Sequence, residues 1–393
     1  MCLRRLKTGA LHGALVMARI RSFAILTHFS EISDPRIDRT KFHNLQDMIV
    51  VAICAAICGA NGWADVERFG NAKIEWLRQF VSLENGIPSH DTFGRVFAML
   101  DPAEFYTCMH NWLRNFRLSL KGQHVAIDGK TLRGSHDRSK GSSALHMVSA
   151  WASGLRLNLG QKSVDDKSNE IPAVAELLQL LQLKGAIVTL DAMHCQTGTA
   201  KLIRKGGADY ILTVKRNQPK LHETLKDLFL QYGQVNYKVP GLRCCRTTET
   251  NHGRFEERIH YAIRAPRELQ GKWEDVQTIG MIYRRREYNG KIEEETHYVI
   301  TSLPPRVRKI AAFIRDHWKI ENNLHWVLDV TFGEDSSRIR TGTAPEVASV
   351  FRRIALTILQ QDTTVKDTIR GKRMRAGWDC GVLESILLSS KQF

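Results

Sequence analysis

The sequence predicts a mixed α/β domain preceded by a helical domain, with a β-rich insertion inside the α/β part. Three observations predict this. From residue 40 to about 117 apolar residues recur at helical spacing. Near residue 123 the period shortens to that of strands, and helices then alternate with those strands. Between residues 220 and 300 strand-like runs return without strong helices between them. The expected divisions are an extension at 1–29, a helical domain at 30–118 and an α/β domain at 119–393, the insertion taking up about 220–303.

Residues 1–25 hold five basic and no acidic side chains, which faintly suits a transit peptide; a start placed too early, with Met17 the true beginning, is the simpler reading. Asn44 caps a helix from Leu45 to Cys58 that is apolar on nearly every side, and Gly59 ends it. An amphipathic segment runs from Ala64 to Phe80. Ser89 caps the next helix, which lines up Phe93, Val96, Phe97 and Leu100 and leaves His90, Asp91, Thr92 and Arg95 outward. That helix is either a DNA-recognition helix after a tight turn or one member of a bundle. Asp101-Pro102 starts another helix through Trp112 to Phe116.

Short strands are expected at His124 to Ile127, Ala144 to Ala152 and Arg156 to Val164. A helix from Ile171 to Leu183, introduced by Ser168-Asn169-Glu170, precedes the apolar strand Ala186 to Leu190. Thr197 to Lys205 reads as helix and Tyr210 to Val214 as strand. In the insertion, Glu256 to Ile263, Val276 to Arg284 and Glu294 to Ile300 are strands, with Asn289-Gly290 a hairpin turn. Pro304-Pro305 leads into a long helix, about Arg306 to Leu328, and the remaining chain is helical and basic, with Arg370, Lys372, Arg373 and Arg375 clustered.

Composition narrows the function. Lys and Arg number 57 against 41 Asp and Glu, a net charge of +16, which implies a polyanionic partner. No basic amphipathic helix stands out for a membrane surface, and the longest apolar run, Met48 to Ala60, is too short to span a bilayer. Nucleic acid is therefore favoured. The eight cysteines follow no metal or disulfide spacing, which suits a reducing cytoplasm.

Asp128 follows Val125-Ala126-Ile127, and Asp191 follows Ile187-Val188-Thr189-Leu190. A carboxylate at the end of a buried strand is costly unless something compensates it. Two from neighbouring strands repel unless a cation sits between them, and hard oxygen donors suit Mg²⁺ or Mn²⁺. Taken singly, each aspartate also reads as a turn cap. Glu321 lies beside the stripe Ile310, Phe313, Ile314, Ile320 and Leu324, and as a third carboxylate it completes a site for two metal ions acting on a phosphodiester. His317 and His325 flank it at helical spacing. They are about 12 Å of rise apart, too far to share one zinc ion, so they read as supports or DNA contacts.

These residues stand in longer strings. Ala126-Ile127-Asp128-Gly129-Lys130-Thr131-Leu132-Arg133-Gly134-Ser135 resembles the first catalytic segment of bacterial insertion-sequence transposases of the DDE type. Asp191-Ala192-Met193 with Cys195-Gln196 resembles the second, and His317-Trp318-Lys319-Ile320-Glu321-Asn322 with Leu324-His325-Trp326, Leu328-Asp329-Val330 and Glu334-Asp335 the third. Asn61-Gly62-Trp63, Asn85-Gly86-Ile87-Pro88, Ser168-Asn169-Glu170-Ile171 and His252-Gly253-Arg254 extend the likeness, whose branch is that of the H-repeat-associated proteins.

The resemblance implies an RNase H-like catalytic domain in which Asp128, Asp191 and Glu321 bind two Mg²⁺, with Mn²⁺ able to substitute. It implies binding of double-stranded DNA at transposon ends and target, cleavage and strand transfer, and a homodimer in the synaptic complex in the bacterial cytoplasm, at the nucleoid. Arg95, Lys130, Arg133, Lys215 and His317 are the expected DNA contacts. Related enzymes carry Tyr, Arg and Lys around the catalytic Glu where this chain has Ile314, His317 and Leu328, so the lysine contact has no counterpart here. A catalytically silent DNA-binding remnant and a metal-dependent nuclease are the alternative readings.

Overall fold

In a computed structural model the described residues are 28–114, 119–137, 141, 143–164, 170–251 and 253–389. Met17, the expected helix end at Phe116, and Ser168-Asn169 and His252 of the quoted strings lie outside them.

The helical region forms as its caps and apolar spacing dictate. Asn44 Oδ1 accepts from the Gln46 and Asp47 amides and starts α1 (Leu45–Ile57), buried on almost every side. Next come α2 (Trp63–Ala72) and α3 (His90–Phe97), the latter capped by Ser89 through the Thr92 amide. α4 (Pro102–Arg114) starts at the expected proline. α2 ends at Ala72, and after Lys73 a short helix, Ile74–Leu77, with Trp76 and Leu77 buried, carries the segment on toward Phe80.

The sheet strands are β1 (His124–Thr131), β2 (His146–Ala152), β3 (Leu157–Val164), β4 (Ile187–Leu190) and β5 (Asp209–Val214). Helices α5 (Glu170–Leu180) and α6 (Thr197–Lys205) alternate with them. β6 (Arg243–Asn251), β7 (Arg254–Arg264), β8 (Thr278–Tyr288) and β9 (Lys291–Thr301) follow. All the described strands form one sheet in the order β3-β2-β1-β4-β5-β9-β8-β7-β6. β1 runs antiparallel to β2 and parallel to β4, and β4 is parallel to β5. The β-rich stretch continues this sheet, because β9 pairs antiparallel with β5 from Ile211↔Thr301 to Val214↔Tyr298.

Two expectations for this region are corrected. A helix the sequence did not predict, α7 (Pro219–Gln234), occupies the start of the stretch; its buried stripe is only Leu221, Leu225 and Phe229, too narrow to stand out. β6 was also unpredicted: Arg-Cys-Cys-Arg-Thr-Thr-Glu-Thr-Asn offers no apolar alternation, as suits the edge strand it forms.

Two layers cover the sheet. Alternation along β1 sends Val125 and Ile127 to one face, where they pack with Val188, Leu190 and residues of α5, α6 and α7. On the other face Ala126, Trp151 and Leu157 join the core of α1–α4 and the C-terminal helices α9 (Ala344–Gln361), α10 (Ile369–Trp378) and α11 (Cys380–Ser389). The N-terminal helices thus share one core with the C-terminal ones. Further along that face α8 (Val307–His317) packs Val307 and Ile310 on Ile187 and Ile211.

The helix expected from Arg306 to Leu328 is not continuous. α8 ends at His317, and two π-helical turns follow, Glu321–His325 and Val327–Thr331. Wider turns shift which side chains share a face, and such turns often mark functional positions. No described helix is long and apolar enough to cross a membrane.

Candidate functional site

Parallel pairing brings the aspartates together. The register His124↔Ile187 to Ile127↔Leu190 ends with Asp128 and Asp191 as the next residue of each strand. Asp128 still pairs with β2 through Ser149, whereas Asp191 leaves the sheet into the turn Ala192–His194. Their side chains are 19% and 56% exposed. Burial, followed by repulsion from Asp191 and from Glu321, pushes the Asp128 carboxyl up to about 6. Glu321, exposed on the first π turn, is thus within electrostatic reach of the pair.

Each aspartate meets a histidine from the segment carrying Glu321. His317 Nε2 lies 3.4 Å from Asp191 Oδ1, and His325 Nδ1 lies 3.4 Å from Asp128 Oδ2. Asp191 is held below the usual carboxylate range, first by the His317 ring and further by Lys215. Burial, reinforced by the Arg353 and Lys130 charges, lowers His325 to about 3, so its ring is neutral. The two histidines thus face different aspartates.

Two of the expected DNA contacts lie largely inside the fold. Lys130 is 8% exposed, with Nζ 2.5 Å from Asp329 and 3.2 Å from both Glu334 and Asp335. Held by three carboxylates, it has no free donor to offer a phosphate. It ties β1 to the chain just beyond Glu321. His317 is also 8% exposed, its Nδ1 2.8 Å from Thr189 Oγ1, so it faces inward. Arg133 is 83% exposed with Asp335 at 3.6 Å. Lys215, just beyond β5, is exposed beside Asp191, and Arg95 is exposed on α3 in the helical layer. Leu328 is fully buried.

A cluster unread in the sequence lies beside the aspartates. Glu170 accepts from His146 Nε2 at 2.8 Å and His194 Nε2 at 3.1 Å, and these bonds hold it down to about 2. Its only signal was its place in the string Ser168-Asn169-Glu170-Ile171. A cavity of about 510 Å³ lies apart from this region, lined by Arg36, His43 and Asp47 among others. Asp128 and Asp191 sit instead where two interior strands of the sheet end.

The oxygen donors suit a hard divalent cation, and the raised Asp128 shows charge crowding that a cation would relieve. Asp128 and Asp191 fit such an ion. Among the described residues no group of three His, Cys, Asp or Glu is gathered closely enough to hold a metal ion.

The transposase DDE domain family matches residues 119–358, and the DDE_Tnp_1-associated family matches residues 26–113. The chain belongs to the DDE transposase family. Among its relatives, "H repeat-associated putative transposase YhhI" of Escherichia coli K12 is 39% identical over 373 residues, 93% of this chain and 98% of that protein. "Putative transposase YncI" of Escherichia coli O157:H7 is 36% identical over 375 residues, 94% and 95% of the two chains. A solved piggyBac transposase synaptic complex with hairpin DNA is similar with a TM-score of 0.39 and 13% identity, over 92% of this chain and 85% of that one. The mixed sheet and helical N-terminal region agree with the RNase H-like fold expected of a DDE transposase.

Proposed function

We propose that this transposase cleaves DNA at transposon ends and joins the freed 3′-hydroxyls to target DNA, with Asp128, Asp191 and Glu321 as its catalytic residues. The observation that carries the reading is the pair of strand-end aspartates in parallel register, whose repulsion and burial raise Asp128. Asp128, Asp191 and Glu321 would hold the divalent ions, Mg²⁺ with Mn²⁺ as substitute. When bound, such ions activate an attacking oxygen and stabilise the leaving oxygen of the phosphodiester. His317 and His325 orient the aspartates, while Arg133, Lys215 and Arg95 contact phosphates. Two ends cut in concert imply a homodimer on DNA, acting at the bacterial nucleoid.

The test is nicking and joining of DNA carrying the element's own ends, with Mg²⁺ and with EDTA, by wild type and Asp191→Ala. Wild type should cut and join only with metal, and the variant should bind without cutting. Wild type that binds but never cuts indicates a silent DNA-binding remnant; cutting without joining indicates a nuclease.

A further inference from the structure

Behind Asp191 runs a buried chain of polar side chains that the proposed chemistry does not itself use. Ser153 Oγ lies 3.1 Å from His124 Nδ1, His124 Nε2 lies 2.8 Å from Thr189 Oγ1, and Thr189 Oγ1 lies 2.8 Å from His317 Nδ1. His317 Nε2 then faces Asp191 at 3.4 Å, longer than an ordinary hydrogen bond but close enough for the ring to hold the carboxylate electrostatically. His124 and Thr189 are 3% and 4% exposed. The strand period puts His124 and Asp128 on one face of β1, and Thr189 and Asp191 on the matching face of β4. Both relay residues therefore lie in the layer under the aspartates, against α8, where the Phe313 ring stacks on His124 at 5.9 Å.

One assignment of protons satisfies every link. The Ser153 hydroxyl donates to His124 Nδ1, His124 Nε2–H donates to Thr189 Oγ1, and the Thr189 hydroxyl donates to His317 Nδ1. His317 is left with its proton on Nε2, directed at Asp191. Burial lowers His124 to about 4, so its ring is neutral at physiological pH, as this direction requires. Turning the Thr189 hydroxyl away would take the donor from His317 Nδ1, leave Thr189 Oγ1 to accept from an Nδ1–H instead, and so remove the preference for this tautomer.

We propose that Thr189 is a positioning residue: through the Ser153–His124–Thr189–His317 relay it fixes the His317 tautomer and so sets the orientation in which Asp191 meets a divalent cation. The inference rests on the metal-site reading above. Partners behind a ligand commonly change metal affinity by about 10–100-fold when removed. Thr189 is buried, so its effect would reach the site through His317 and Asp191.

The experiment is direct Mn²⁺ binding to the full chain, read by electron paramagnetic resonance of the free ion, for wild type, Thr189→Val, Thr189→Ser, Ser153→Ala and Asp191→Ala. Valine keeps the β-branched shape but not the hydroxyl, and should weaken Mn²⁺ about tenfold. Serine restores the hydroxyl and should bind like wild type. Ser153→Ala, at the half-buried far end, should fall between the two with its melting temperature unchanged, and it carries the test should the valine variant not fold. Valine binding as tightly as wild type overturns the proposal, and so does serine binding as weakly as valine, which would point to packing. Should the valine variant not fold, Ser153→Ala binding like wild type overturns it. Wild type binding no better than Asp191→Ala overturns the metal-site reading itself, and the relay falls with it.

Discussion

At the scale of single residues, the most consequential feature outside the aspartates is Glu334. It is 1% exposed, with Arg353 Nη1 at 2.8 Å and Lys130 Nζ at 3.2 Å. Burial works to raise its carboxyl, but Arg353, Lys130 and Arg352 outweigh that and hold it at about 2. Its folded value therefore lies below the ordinary value of about 4.3. A depressed carboxylate stabilises the fold fully above its unfolded pKa, and that contribution is lost as pH falls through the folded value. Glu334→Gln leaves Arg353 and Lys130 without their buried partner and should cost about 3–5 kcal/mol at neutral pH. Denaturant unfolding should show this gap narrowing as the pH falls from about 5 toward 2. A gap that stays constant with pH would mean that Glu334 is not an ionised partner in the fold.

At the scale of elements, much of the site was legible because local rules and tertiary packing agree. Asn44 and Ser89 cap the helices they were expected to cap, and the apolar runs before Asp128 and Asp191 are the central parallel strands. What was not legible depended on register or on distant partners. Helical spacing carried straight through Glu321 gives one long helix, but the chain widens into π turns there, so the neighbours of His325 differ from those an α-helix would give it. Lys130 reads as a surface cation until the loop bearing Glu334 and Asp335, some two hundred positions away, folds over it. The same loop passes close to Gly134: a Cβ there would lie 2.7 Å from the Asp335 carbonyl oxygen and closer still to that of Ser337. Glycine is thus required by close approach, which a single sequence does not reveal. Glu170 was visible only as a helix start, because His146 and His194 reach it from other elements.

At the scale of the whole molecule, one sheet carries the aspartates between a layer of α5–α7 and a layer built from both ends of the chain, on a protein of net charge +16. DNA affinity should therefore fall steeply with salt, by about 10³–10⁵ between 50 and 200 mM if roughly 6–10 phosphates are neutralised. Alanine at Arg95, Arg133 or Lys215 should each lower the slope of log K against log salt by about 1. A substitution at Lys130 should leave the slope unchanged while lowering the melting temperature, because its charge is spent inside the fold. Fluorescence anisotropy across a salt series measures both; an unchanged slope in all three alanine variants would remove these residues from the DNA path. The central claim is that three carboxylates from β1, β4 and the π turn act as one site. The measurement that tests it most directly is strand transfer by Asp128→Asn, Asp191→Asn and Glu321→Gln, each checked for DNA binding. All three should bind the element's ends as wild type does and join none of them. Joining at the wild-type rate by any one, above all by Glu321→Gln, would contradict it.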